Sequence, residues 1–147
     1  MPPGMIGERD RYVRLRTVSR VVLALLYGAA GVLHILLPGP FLGITPRWVP
    51  FPETTILLTG LAELAGAAAL LQPWSRRLRV AGGWGLAAYA LCVFPANINH
   101  FVLDMAKPDG GLGLGYHVPR MLLQPLLIWL ALWVSGALPR RRRSTLL

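Results

Sequence analysis

Four apolar runs, at 18–37, 54–71, 80–101 and 121–138, divide this chain, and no other feature restricts its fold as strongly. A helix needs about 20 predominantly apolar residues to cross a hydrocarbon core roughly 30 Å thick. Each run meets that length within a few residues and is bounded by helix-breaking punctuation. Pro38, Gly39 and Pro40 stop the first; Pro50 and Pro52 precede the second; Gln72 and Pro73 end it. Lys107, Pro108, Asp109, Gly110 and Gly111 separate the third from the fourth. Short connections between such runs favour an up-down-up-down arrangement. The expected fold class is all-α, an integral membrane antiparallel four-helix bundle. Small residues at i,i+4, which let helix backbones approach in lipid, mark the packing faces: Ala24 with Gly28, Ala62 with Gly66, Gly83 with Ala87, and Ala131 with Ser135.

Composition agrees. With 147 residues the chain has the length of one domain, but 54% hydrophobic residues and a mean hydropathy of +0.53 exceed the usual values for a soluble one. The net charge of +9 would suit a nucleic-acid binder only if the basic residues shared one face. They lie at the ends of the apolar runs instead, so nucleic acid is not an expected partner. Arg9, Arg11, Arg14, Arg16 and Arg20, then Arg76, Arg77 and Arg79, then Arg140 to Arg143 put twelve cations on one side, against Arg47, Lys107 and Arg120 on the other. Lys and Arg accumulate on cytoplasmic segments. Both termini are therefore expected in the cytoplasm, with the loops 38–53 and 102–118 outside. The parts are a basic tail at 1–17, a four-span domain at 18–138 and a basic tail at 139–147, in the cell inner (plasma) membrane. The tetra-arginine tail is expected to contact anionic membrane lipids. The first run exceeds the apolar stretch of about 7–15 residues in a cleaved signal peptide and reads as a retained span.

Polar residues inside such spans are the candidates for function. Glu63 stands near the middle of the second run, and its helical neighbours Thr59, Gly60, Gly66 and Ala67 are small, so it is expected to point inward. Tyr27, Ala30, Gly31 and His34 share a face of the first run; Tyr89, Val93, Asn97 and His100 share one on the third; His117, Arg120 and Gln124 share one leading into the fourth. The expected ligand-binding residues are His34, Glu63, Asn97, His100, Arg120 and Gln124, gathered in the outer part of the bundle except for the deeper Glu63. Pro95 in the stretch FPANINH (94–100) deprives the Leu91 carbonyl of its helical partner, and Asn97 or a water is the expected repair. Plainer roles stand beside these. Asn97 and Asn99 can cap a kinked helix, His100 and His117 can sit among headgroups, Glu63 can bond another helix, and Tyr27 and Tyr89 can simply pack. His34, His100 and Glu63 form a two-histidine, one-carboxylate inventory, but Glu63 lies deeper than the histidines and no HxxxH or ExxH pair occurs, so no metal is expected. The single cysteine, Cys92, excludes an internal disulfide and reads as a small buried apolar residue.

The segments GVLHILLPGPFLGITPRWVPFPE (31–53), TGLAELAGAAALL (59–71) and VFPANINH (93–100) resemble the DoxX-like family of small bacterial four-span membrane proteins, over roughly residues 21–138. That family takes its name from the membrane subunit of a thiosulfate:quinone oxidoreductase. The resemblance implies a quinone-linked role, with quinone as the cofactor and a redox protein as partner, and it carries over to His34, Glu63, Asn97 and His100. Cys92 alone cannot perform dithiol exchange. The leading expectation is a quinone- or small-molecule-binding subunit of a membrane redox system, at most the membrane part of an oxidoreductase, with Glu63 as its proton relay. One alternative is a non-enzymatic structural or assembly partner of another membrane protein. Another is a small proton-coupled transporter, which four spans would form as a homo-oligomer.

Overall fold

The computed structural model describes residues 3–138; the arginine-rich tail 139–147 lies outside them. The chain forms α1 (Pro3–Leu36), α2 (Gly39–Ile44), α3 (Pro52–Leu71), α4 (Arg76–Met105) and α5 (Leu114–Ser135), with no strand among the described residues. All but α2 are long and apolar enough to cross a membrane. Leu25, Leu26, Leu36 and Leu122 are each about 60% exposed or more, a surface suited to lipid and not to water.

The helices outrun the apolar stretches that announce them. α1 has 34 residues, about 51 Å at 1.5 Å per residue, because Arg and Leu sustain a helix well beyond the hydrophobic part. Its N-terminal turns are fastened to α5, where Trp133 Nε1 donates to Tyr12 Oη at 3.0 Å. α4 begins behind Ser75, whose hydroxyl accepts from Leu78 N–H at 3.2 Å. It continues through Pro95 to Met105, so FPANINH lies inside a helix and Asn97 and Asn99 do not cap its end. α5 begins at Leu114, ahead of the run expected at 121, and stops at Gly136. That glycine adopts φ 92° and closes the helix with N–H bonds from residues 136, 137 and 138 to the carbonyls of Trp133 and Leu132.

α1 packs on α3, α3 on α4, α4 on α5, and α5 back on α1. Leu23, Tyr27, Leu70, Leu86 and Val134 fill the centre. Small residues set the approach, as lipid offers no hydrophobic drive between helices. At the crossing of α1 and α3 Gly31 lies against Gly60, where a Cβ on the former would stand 2.7 Å from the latter's carbonyl oxygen. Gly83 meets Ser135 and the Ala131 carbonyl, and Gly66 meets Leu86. Ala62, expected in a packing pair, is exposed.

The proline-rich segment after α1 folds over one end of the bundle. Phe41 of α2 stacks on His34 at 3.7 Å between ring centroids, and Asn99 Nδ2 donates to the Ile44 carbonyl at 2.9 Å. Pro50 and Pro52 hold Phe51 between them at φ 48°, a left-handed conformation that side chains rarely adopt.

Candidate functional site

Beneath that segment is a cavity of about 540 Å³. Its walls are mostly apolar, from Leu23, Leu26, Val93, Leu123 and Leu127, with Phe41, Ile44 and Trp48 contributed by α2 and the loop after it. His34, Glu63, Asn97, Arg120 and Gln124 all line it. His100 does not, but it holds Arg120 in place.

One polar wall is built where α1, α3 and α4 meet. Glu63, 3% exposed, accepts from Tyr89 Oη at 2.7 Å through Oε1, and its Oε2 lies 2.8 Å from His34 Nδ1. The same Nδ1 is 2.9 Å from the Ala30 carbonyl. A carbonyl can only accept, so Nδ1 carries a proton. Tyr27 stands edge-on to Tyr89, with ring centroids 6.0 Å apart, and its buried hydroxyl has no partner among the described residues. Buried hydroxyls are seldom left unpaired, because each costs about 1–3 kcal/mol.

The opposite wall is built by α4 and α5. Asn97 Nδ2 donates to Gln124 Oε1 at 3.2 Å, and Gln124 Nε2 donates to the Ala90 carbonyl at 2.5 Å. Asn97 is thus turned to α5 and not to the Leu91 carbonyl that Pro95 frees, and the α5 side chain Gln124 reaches the carbonyl one residue before it. Arg120 Nη1 bonds His100 Nδ1 at 2.6 Å and Tyr116 Oη at 3.2 Å.

A third cluster was not foreseen, and it is centred on Asp104. This buried carboxylate receives Lys107 Nζ at 2.5 Å on Oδ1, and on Oδ2 it receives His117 Nε2 at 2.9 Å and the Leu112 N–H at 3.2 Å. His100 Nε2 approaches to 3.5 Å. A side chain on Gly111 would collide with the carboxylate, so glycine there lets the α4–α5 connection lie against it. Asp104 in turn holds the Lys107 ammonium above the usual lysine range through their hydrogen bond. The sequence signal was the His100, Asp104 spacing of i,i+4, which puts both on one face of α4.

His100, Asp104 and His117 have ligand atoms within 4.8 Å of one another and so could be taken for a metal site. The donor chemistry argues otherwise. A histidine bound to metal through Nε2 offers a proton on Nδ1 to an acceptor. Here His100 Nδ1 faces the Arg120 cation, a pure donor, and His117 Nδ1 has no partner among the described residues. Lys107 already neutralises the carboxylate. The cluster reads as an anchored acid that ties down the loop. The ligand atoms of His34, His100 and Glu63 form no comparable group among the described residues, because His34 joins Glu63 while His100 joins Asp104.

No curated protein and no solved structure matches the chain. A family model does match, over residues 23–135, a range that contains both polar walls of the cavity and the Asp104 cluster. The chain belongs to the family described as Domain of unknown function (DUF8561).

Proposed function

We propose that this chain is a multi-pass protein of the cell inner (plasma) membrane that binds a small, largely apolar molecule with a polar head inside its bundle. The arginine distribution supports an antiparallel bundle with both termini cytoplasmic. The DoxX resemblance makes a quinone the favoured ligand class and a membrane redox system the favoured setting. One observation carries the reading: an apolar cavity of about 540 Å³ is lined by Tyr27, whose buried hydroxyl has no protein acceptor among the described residues. Ligand sites combine mainly apolar walls with a few convergent polar groups. A carbonyl oxygen on the ligand would give Tyr27 the acceptor it lacks, and Glu63 next to it, joined to His34 and Tyr89, would serve as the proton relay.

A structural role is the competing reading, supported by the interhelical bonds of Glu63 with Tyr89 and Asn97 with Gln124. The substitution Tyr27→Phe separates the two. The protein in nanodiscs is titrated with 1,4-naphthoquinone, with empty discs correcting for partition. Saturable binding at one site, weakened about 5–10-fold by Tyr27→Phe as one hydrogen bond is lost, supports the ligand site. Absence of saturable binding, with Tyr27→Phe as stable as the parent or more so, would overturn it.

A further inference from the structure

The two polar walls of the cavity differ in how their charges are met. Glu63 has His34 and Tyr89. Arg120, on the opposite wall, takes part in no ion pair among the described residues. The nearby acid is not available to it, because Asp104 is engaged by Lys107, His117 and the Leu112 N–H.

Arg120 is nonetheless held firmly. A guanidinium has five N–H donors, two of them on each Nη. Nη1 spends both of its own on His100 Nδ1 and Tyr116 Oη, and the Arg120 Cζ lies 5.7 Å from the centre of the Tyr116 ring. Both acceptors are neutral: His100 must present a lone pair at Nδ1 to receive an arginine, and Tyr116 offers a hydroxyl. The donors on Nε and Nη2 meet no protein acceptor among the described residues. They form the planar fork that matches a pair of anionic oxygens. A half-buried cation that lines a mostly apolar cavity and lacks a counter-charge among the described residues favours an anion there.

We infer that Arg120 is the head-recognition group of the cavity and selects lipophilic ligands that carry an acidic oxygen group, a carboxylate or an ionised hydroxyl next to a carbonyl, over uncharged ligands of the same shape. This rests on the reading of the cavity as a ligand site. It adds the ligand's charge and the wall that its head addresses. His100 and Tyr116 are positioning residues, since they act through Arg120.

The test uses 2-hydroxy-1,4-naphthoquinone, an anion at neutral pH, and its uncharged 2-methoxy ether, each titrated against the full-length protein in nanodiscs of zwitterionic lipid. The anion is expected to bind about tenfold more tightly, the effect of a charge-assisted pair. Arg120→Gln is expected to erase that preference and Arg120→Lys to keep part of it. Equal affinities for the two compounds in the parent protein would overturn the inference while the ligand site stands; so would a preference that survives Arg120→Gln. Should Arg120→Gln fail to fold, the comparison of the two compounds on the parent protein still decides. Binding of neither compound would overturn the ligand site and the inference together. In discs that contain anionic phosphatidylglycerol, loss of the preference marks a lipid phosphate as the natural anion and its retention marks a free lipophilic acid. Both results support anion recognition by Arg120.

Discussion

The crossing of α1 and α3 offers the most quantitative test of how the bundle supports its site. In Gly31→Ala the new methyl would stand 2.7 Å from the Gly60 carbonyl oxygen, 2.9 Å from Leu64 Cγ and 3.2 Å from Glu63 Cβ. Ordinary contact begins near 3.4 Å, so the helices must separate by about 0.7 Å at this point. Overpacking of this kind costs about 1–3 kcal/mol, and replacing a helical glycine by alanine returns about 1 kcal/mol, which leaves a net loss of up to about 2 kcal/mol. The same shift lengthens the His34 to Glu63 ion-pair contact from 2.8 Å to about 3.5 Å and so weakens it. Gly85→Ala is the control. It lies in α4, nothing stands within 4 Å of its would-be Cβ, and only the helix-propensity gain remains. Both variants are unfolded thermally in mild detergent and followed by circular dichroism. Gly31→Ala is expected to melt below the parent and Gly85→Ala at or above it. If Gly31→Ala tracked Gly85→Ala, the close approach would not be what holds α1 to α3.

Three further expectations follow from local chemistry. Phe51→Gly relieves a left-handed side-chain residue, worth about 1–2 kcal/mol, against about 0.4–1 kcal/mol of added freedom in the unfolded chain; a net rise in melting temperature is expected, and a fall would refute the strain at φ 48°. Asp104→Asn removes the negative charge and one of the two oxygens that Lys107, His117 and Leu112 bond, putting an NH2 against a donor; limited proteolysis should then cut within 106–113 at protease levels that leave the parent intact, while Lys107→Met, altering only the exposed partner, should do so less. Gln124→Leu leaves the Ala90 carbonyl and Asn97 Nδ2 without their partner and should cost about 1–2 kcal/mol, read as a lower unfolding midpoint in the detergent SDS.

The apolar runs were legible because hydropathy reports the requirement that lipid places on a helix. The ends were not, since Arg9 to Arg20 are as compatible with a helix as with a tail, and contacts across the fold such as Tyr12 with Trp133 decide between them. Helical spacing placed His34, Glu63, Asn97, Arg120 and Gln124 on inward faces, and the structure brings them to one cavity. Spacing along a helix says nothing of the partner across it, so the pairing of Glu63 with Tyr89 and of Gln124 with Ala90 could not be read. Asp104 escaped for a related reason. It lies in the segment 102–118 expected outside the membrane, and its burial depends on a fold-back of the glycine-rich loop through Gly111. Cys92, expected to be buried, is exposed and lies in the cavity wall.

The two asparagines of α4 carry a consequence for how such a chain can change over time. Asn99 grips the Ile44 carbonyl and Asn97 grips Gln124, so neighbouring residues of a single turn secure both the segment over the cavity and its far wall. Asn99 bonds to backbone and tolerates any side chain at position 44, whereas Asn97 bonds to a side chain and has a partner that must suit it. Drift is therefore freer over the cavity and paired at its wall: position 97 and position 124 should vary together among descendants, while side chains such as those at 44 and 48 diversify and so set which ligand bodies each descendant accepts.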